Sequence, residues 1–249
     1  MRTVASLCQG AKNAQPALAN ASTETRNAVL RSAAELLLEQ KDAVIAANQV
    51  DLDNAQKLGL SSAMVDRLRL TDEALSSIAQ SLESIALFDD PVGQISELQQ
   101  RPNGLKVGRM RIPLGVVAII FESRPNVVID AGALCLKSGN AAILKGGKEA
   151  EHSNAVLAQV LSQALVMNGL PEDALTLLTD RSQVTDLLQQ SESVDLVIPR
   201  GGESLIRYVT ANSRIPVVQH YKGVCHVYVD DQAKLDMAVE IAFNAKAQR

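Results

Sequence analysis

Apolar and polar positions alternate with two different periods along this chain, and the change from one to the other falls near residue 93. Up to residue 88 the pattern is helical. Val29, Leu30, Ala33, Ala34, Leu37 and Leu38 recur at about 3.6-residue spacing behind Ser22 or Thr23, either of which can cap the segment. Asp42 to Lys57 continues in the same way until Gly59, where a helix can stop. Thr71-Asp72-Glu73 opens another helix, with Leu75, Ile78, Leu82, Ile85 and Ala86 as its stripe. Asp89-Asp90-Pro91-Val92-Gly93 breaks the pattern and reads as a linker. Pro102-Asn103-Gly104, between the runs 95–101 and 105–112, predicts a hairpin, because Asn-Gly supplies the positive φ of its turn.

From Gly115 onward short β-branched runs alternate with amphipathic segments. Strands are predicted near 115–121, 141–145, 174–178, 194–198, 215–219 and 225–229. Helices are predicted near 126–138, 153–168, 182–190, 202–212 and 233–247. Such alternation implies an α/β fold: a doubly wound, mostly parallel sheet with helices on both faces. The expected organisation is a helical region over 1–93, a hairpin over 94–112, a sheet domain over 113–229 and the start of a further domain over 230–249.

Composition narrows the chemistry. Lys and Arg number 24 against 28 Asp and Glu, a net charge of −4, which offers no electrostatic case for nucleic acid. Aromatic residues make up 2 %, too few for base-stacking platforms. No run approaches the roughly 18 apolar residues of a membrane span, and the first twenty residues lack the apolar core of a secretory signal. Cys8, Cys135 and Cys225 are far apart, which suits a reduced, cytoplasmic protein. His152, His220 and His226 have no metal-ligand spacing, and no metal is expected.

Three turns carry candidate chemistry, each at the expected carboxyl end of a strand, where open α/β sheets bind ligands. Lys145-Gly146-Gly147-Lys148 combines backbone without side chains and two ammonium groups, as a phosphate-rich ligand requires; it equally describes a plain strand-to-helix turn with solvated lysines. Arg200-Gly201-Gly202-Glu203 opens a helix whose free N–H groups attract anions, with a tight turn as the alternative. In Glu122-Ser123-Arg124-Pro125-Asn126, Arg124 is suited to clamping a carboxylate or phosphate and Asn126 to donating to a developing oxyanion. Asn126 capping the next helix and Arg124 pairing with Glu122 explain the same residues. The Gly-x-Gly-x-x-Gly fingerprint of ordinary Rossmann dehydrogenases is absent. Cys135 reads as core, and Cys8 has no activator. Cys225 adjoins His226, but neighbours on a strand point to opposite faces.

The segments RPNGLKVGRMRIPLGVVAIIFESRPNVVIDAGALCLKSGNAAILKGG, VDLVIPRGGESLIRYV and GVCHVYVDDQAKLDMAVEIAFNAKAQR closely resemble the gamma-glutamyl phosphate reductases, with DRLRLT and DDPVG also in place. These are glutamate-5-semialdehyde dehydrogenases of proline biosynthesis, within the aldehyde dehydrogenase superfamily. The resemblance spans essentially the whole chain. It implies NADPH-dependent reduction of L-glutamyl 5-phosphate to glutamate 5-semialdehyde with release of phosphate. In that chemistry a cysteine thiolate attacks the acyl phosphate and the thioester accepts hydride. It further implies that Lys145 touches the cofactor's adenosine ribose and that Gly201 and Gly202 face its pyrophosphate and nicotinamide end; Gly147 is a further cofactor-binding candidate. It makes Asn126 the nearest match to the oxyanion asparagine, although the spacing differs. NAD-preferring relatives carry glutamate where Lys148 stands, and a cation there favours a 2′-phosphate. Homo-oligomers are implied for intact members. The family's Asn-Ala-Lys-x-Gln-Arg run is followed by Pro-x-x-Cys, which holds the nucleophile. That cysteine is absent from these 249 residues, so no turnover is expected of them alone; a non-catalytic nucleotide- or partner-binding role is the alternative.

Overall fold

The computed structural model describes residues 2–219 and 224–247. The chain divides into a unit of residues 1–219 and a second of residues 220–249. The first unit begins with five helices: α1 (Val4–Asn20), α2 (Thr23–Glu39), α3 (Lys41–Lys57), α4 (Ser62–Leu68) and α5 (Asp72–Ala86). Side-chain oxygens of Thr3, Ser22 and Thr71 accept from the backbone N–H three residues on and satisfy donors that the first turns of α1, α2 and α5 leave open. The stripe of α2 differs from the sequence pattern at one residue. Val29, Leu30, Ala33, Ala34 and Leu37 are buried, whereas Leu38 is 45 % exposed. It lies one residue beyond Leu37, a rotation of about 100° that carries it off the packed face.

Strands β1 (Ile95–Gln100) and β2 (Lys106–Met110) form the expected antiparallel hairpin, with Ile95 opposite Met110 and Gln100 opposite Lys106. Gly104 takes φ +88° at its tip. Every residue of both strands is exposed. The linker before the hairpin is anchored: Asp90 accepts from the buried Arg26 guanidinium, the Thr23 hydroxyl and the Val92 N–H.

The sheet follows in regular alternation: β3 (Val116–Phe121), α6 (Val127–Lys137), β4 (Ala141–Lys145), α7 (Glu151–Met167), β5 (Leu175–Leu178), α8 (Gln183–Leu187), β6 (Leu196–Arg200) and α9 (Glu203–Asn212). All pairings are parallel and the order is β5-β4-β3-β6. Right-handed crossovers place α6 and α7 on one face. The chain then passes to the other side of β3, and α8 meets α1, which lies across β3, β4 and β5. Covered on both faces, β3 and β4 are buried at every residue, which explains their unbroken apolar runs. The core is continuous from this sheet into α1, α2 and α5.

Two predicted strands are corrected. Over 215–219 pairing is confined to a bridge between Val217 and Val197, framed by Val197 N–H to Pro216 O (2.9 Å) and Val218 N–H to Val197 O (3.0 Å). Pro216 has no N–H with which to extend it. Residues 224–230 form no strand and are exposed, despite alternating Val227 and Val229. An apolar run becomes a strand only where another backbone pairs with it. The second unit also holds α10 (Leu235–Ala247).

The central strand and the corrected flank of α2 define a stability contrast. Ile143→Ala, at a fully buried site of β4, is expected to cost about 2–5 kcal/mol in urea unfolding. Leu38→Ala should stay within about 0.5 kcal/mol of the parent.

Candidate functional site

Parallel register brings three loops together at the carboxyl edge of the sheet. Ile120 of β3 lies beside Lys145 of β4, and Phe121 lies beside Arg200 of β6. The loops 122–126, 146–150 and 201–202 therefore emerge side by side. The crevice between the β3 and β6 ends is the topological switch point, because the chain winds away from β3 in both directions.

Two carboxylates join these loops in series. Glu149 Oε1, from the β4 loop, accepts from the Ser123 N–H (2.8 Å) and the Ser123 hydroxyl (2.9 Å). These bonds hold Ser123 at φ +52°, a left-handed conformation that costs a non-glycine residue energy unless its surroundings impose it. Glu122 Oε2, from the β3 loop, accepts from the Gly202 N–H at the start of α9 (2.7 Å). A Cβ on Gly201 would stand 2.4 Å from the same oxygen, so a side chain there would displace the Glu122 carboxylate.

Lys145 ends β4 with its side chain buried, and its Nζ donates to the Gly146 carbonyl. Burial pushes this ammonium below its ordinary value, against the opposing pull of Glu149 and Glu151. Asn154, near the start of α7, is 3 % exposed and its Oδ1 has no hydrogen-bond partner among the described residues. A Cβ on Gly146 would stand 2.3 Å from the Asn154 amide nitrogen. Lys148 is exposed on the turn that leads into α7.

The start of α7 is held from a distance. Asp51 of α3, 2 % exposed, accepts from His152 N–H (3.1 Å), His152 Nδ1 (2.8 Å), Ser153 N–H (2.8 Å) and Ser153 Oγ (2.6 Å). Its negative charge sits where the helix dipole favours an anion. Asn48, one turn earlier, donates to Ser153 Oγ (3.0 Å) and accepts from Leu70 N–H (2.8 Å).

The structure brings together the loops of Arg124, Asn126, Lys145, Gly147, Lys148, Gly201 and Gly202. Neither bland alternative for the β3 loop holds in the form the sequence suggested. Glu122 is bonded to Gly202 and makes no ion pair with Arg124, which is exposed. Asn126 stands at the N-cap of α6 without a side-chain cap; its Nδ2 donates to Asp130 Oδ2 (2.8 Å). Sequence reasoning missed Asp51 and Asn154, whose partners lie far off in the chain, and gave Glu149 no part. A carboxylate just before the first turn of α7, directly after Lys148, was the signal to be read.

Cys135 is core, with burial pushing its thiol to about 12, and burial raises Cys8 to about 11. Cys225 is exposed. Cys225 and His226 are not held to opposite faces as strand neighbours would be, since that segment is not a strand. Among the described residues no cluster of His, Cys, Asp or Glu forms a metal site, and no helix is long and apolar enough to cross a membrane.

A parallel, doubly wound sheet with glycine-rich loops at its switch point defines an open α/β architecture of the class that takes ligands at that edge. The aldehyde dehydrogenase family model matches residues 2–248, and the chain belongs to that family. It is 53 % identical over 245 residues to the gamma-glutamyl phosphate reductase of Desulfatibacillum aliphaticivorans, covering 98 % of this chain and 59 % of that protein. The crystal structure of gamma-glutamyl phosphate reductase from Thermotoga maritima superposes with TM-score 0.91 at 36 % identity, over 100 % of this chain and 60 % of that one. The Saccharomyces cerevisiae enzyme of the same name gives 0.83 at 34 % identity, over 100 % and 64 %. The chain thus spans about three-fifths of the length of these relatives.

Three expectations follow. In the native protein only the Cys225 thiol should react rapidly with a disulfide reagent, and Cys8 and Cys135 should react only on unfolding. Two or three fast thiols under native conditions would contradict their burial. Because both buried thiols are raised above their unfolded value, the folded state retains protons that the unfolded state releases. Stability should therefore decline as pH rises above about 9. Asp51→Asn should lower stability by about 1–3 kcal/mol in urea unfolding, because the buried cap of α7 loses its charge.

Proposed function

We propose that this chain serves the NADPH-dependent reduction of L-glutamyl 5-phosphate to L-glutamate 5-semialdehyde and phosphate, a step of proline biosynthesis. The observation that carries the reading is the convergence of the three loops at the switch point, in a chain half identical to a gamma-glutamyl phosphate reductase.

The residues present fit a dinucleotide. A Cβ on Gly202 would meet no heavy atom closer than 3.8 Å, which leaves room at the start of α9. Lys145 is a buried cation and Asn154 Oδ1 a buried acceptor without a partner among the described residues, and a ligand hydroxyl beside Gly146 would engage such groups. In this reading Lys145, Gly147 and Lys148 hold the adenosine end, and Gly201 and Gly202 lie along the pyrophosphate. A bound nicotinamide cofactor supplies the hydride. Lys148 favours NADP because an exposed ammonium attracts the 2′-phosphate that an anion would repel. Arg124 binds the acidic substrate. Asn126, whose amide has a second N–H besides the one given to Asp130, donates to the acyl oxygen as charge develops there.

We assign the attacking thiolate to none of Cys8, Cys135 or Cys225: the first two are buried and protonated, and the third has no activating base among the described residues. The fully exposed hairpin, with Ile95, Leu98, Val107 and Met110 in the open, suits contact between copies in a homo-oligomer. A cytoplasmic setting suits three unpaired cysteines.

Fluorescence titration tests the cofactor assignment. The parent chain should bind NADPH more tightly than NADH, and Lys148→Glu should weaken NADPH by about tenfold or more while leaving NADH equal or tighter. Equal affinity for both nucleotides, unchanged by the substitution, would remove Lys148 from the site.

A further inference from the structure

Glu122 holds an unusual position for an acidic residue in a crevice proposed to receive a pyrophosphate. Its side chain spans from the end of β3 to the start of α9. There its Oε2 accepts from Gly202 N–H at 2.7 Å and fills the space beside Gly201 that a Cβ would otherwise need. That N–H is the group a phosphate oxygen would take, at the end of the helix whose dipole favours negative charge. A second anion cannot share it: two charges at hydrogen-bonding distance of one donor repel each other, and the donor has a single hydrogen.

We infer that Glu122 is an internal occupant of the anion position at the start of α9, which the cofactor's pyrophosphate displaces on binding. The inference rests on the cofactor reading above and deepens it. Glu122 is exposed, so its carboxylate can swing into solvent without leaving a buried charge. Its neighbour Ser123 stays tied to Glu149 by two hydrogen bonds, so the loop keeps an anchor when Glu122 lets go. Arg124 follows directly in the same loop. With Ser123 anchored between them, release of Glu122 leaves the proposed substrate-binding guanidinium in place for the acyl phosphate.

An internal competitor and a structural brace predict opposite results. For Glu122→Gln and Glu122→Ala in the full 249-residue chain, NADPH should bind about tenfold more tightly than to the parent. The unliganded variants should melt at or below the parent temperature, because a helix end has lost its charged acceptor. Inorganic pyrophosphate, tested by the same thermal shift, should stabilise both variants more than the parent. Tighter pyrophosphate binding by the variants with no NADPH binding by any form would sustain the role of Glu122 and overturn the cofactor reading. Affinities unchanged or weaker in both variants, for NADPH and pyrophosphate alike, would overturn the inference while a parent that binds NADPH leaves the cofactor reading standing. If no form binds either ligand, both fall.

Discussion

Parallel pairing of β3 with β4 on one side and β6 on the other is the constraint on which the rest of the first unit depends. Parallel strands need crossovers, crossovers place helices on the faces, and covered faces must be apolar. The buried apolar runs Val116–Phe121 and 141–144 meet that requirement. The same pairing brings the carboxyl ends of three strands to one edge and opens a crevice where the winding changes direction. The place of the candidate site is thus a consequence of backbone hydrogen bonding, before any particular side chain is considered.

Side chains then set the distances between the loops at that edge. Glu149 grips Ser123 through two hydrogen bonds, and Glu122 reaches Gly202. Each bond joins loops that follow different strands. Below them Asp51 fixes the start of α7 from α3, so the turn carrying Lys148 is bounded by a polar anchor on each side. Charge-assisted bonds of this kind are stronger than neutral ones and hold a definite geometry.

Away from the edge, buried charges tie the first helices to the sheet layer. Arg26 of α2, 3 % exposed, pairs with Asp90 and donates to the carbonyls of Leu18 and Ala21. Partial burial works against the Asp90 charge, but hydrogen bonds from Thr23, Val92 and Arg26 hold its carboxyl below the usual range. Lys137, at the last turn of α6, donates to Asn27 and the Ala86 carbonyl, while burial lowers its ammonium from the ordinary value. Its charge lies at the helix end that favours a cation. These contacts join α1, α2, α5, α6 and the linker, and explain why the helical residues share one core with the sheet.

Local pattern was enough for much of this. Helix caps at Ser22 and Thr71, the Asn103-Gly104 turn and the alternation after Gly115 are short-range signals, and each produced its element within a few residues. Glycine-rich turns at strand ends were legible for the same reason, and so was the family resemblance. Strand pairing was not, because it depends on which backbones meet: Val227 and Val229 alternate as a strand does and belong to none, and 215–219 shrinks to one bridge. Partners across the fold were equally hidden. The sequence by itself determined which elements form and which turns can approach a phosphate, since those follow from backbone conformation and residue type over a few positions. Only the tertiary structure decided that Glu122 faces Gly202, that Glu149 holds Ser123 and that Asp51 caps a helix 101 residues away. Hydrogen bonds act over about 3 Å of space whatever the separation along the chain.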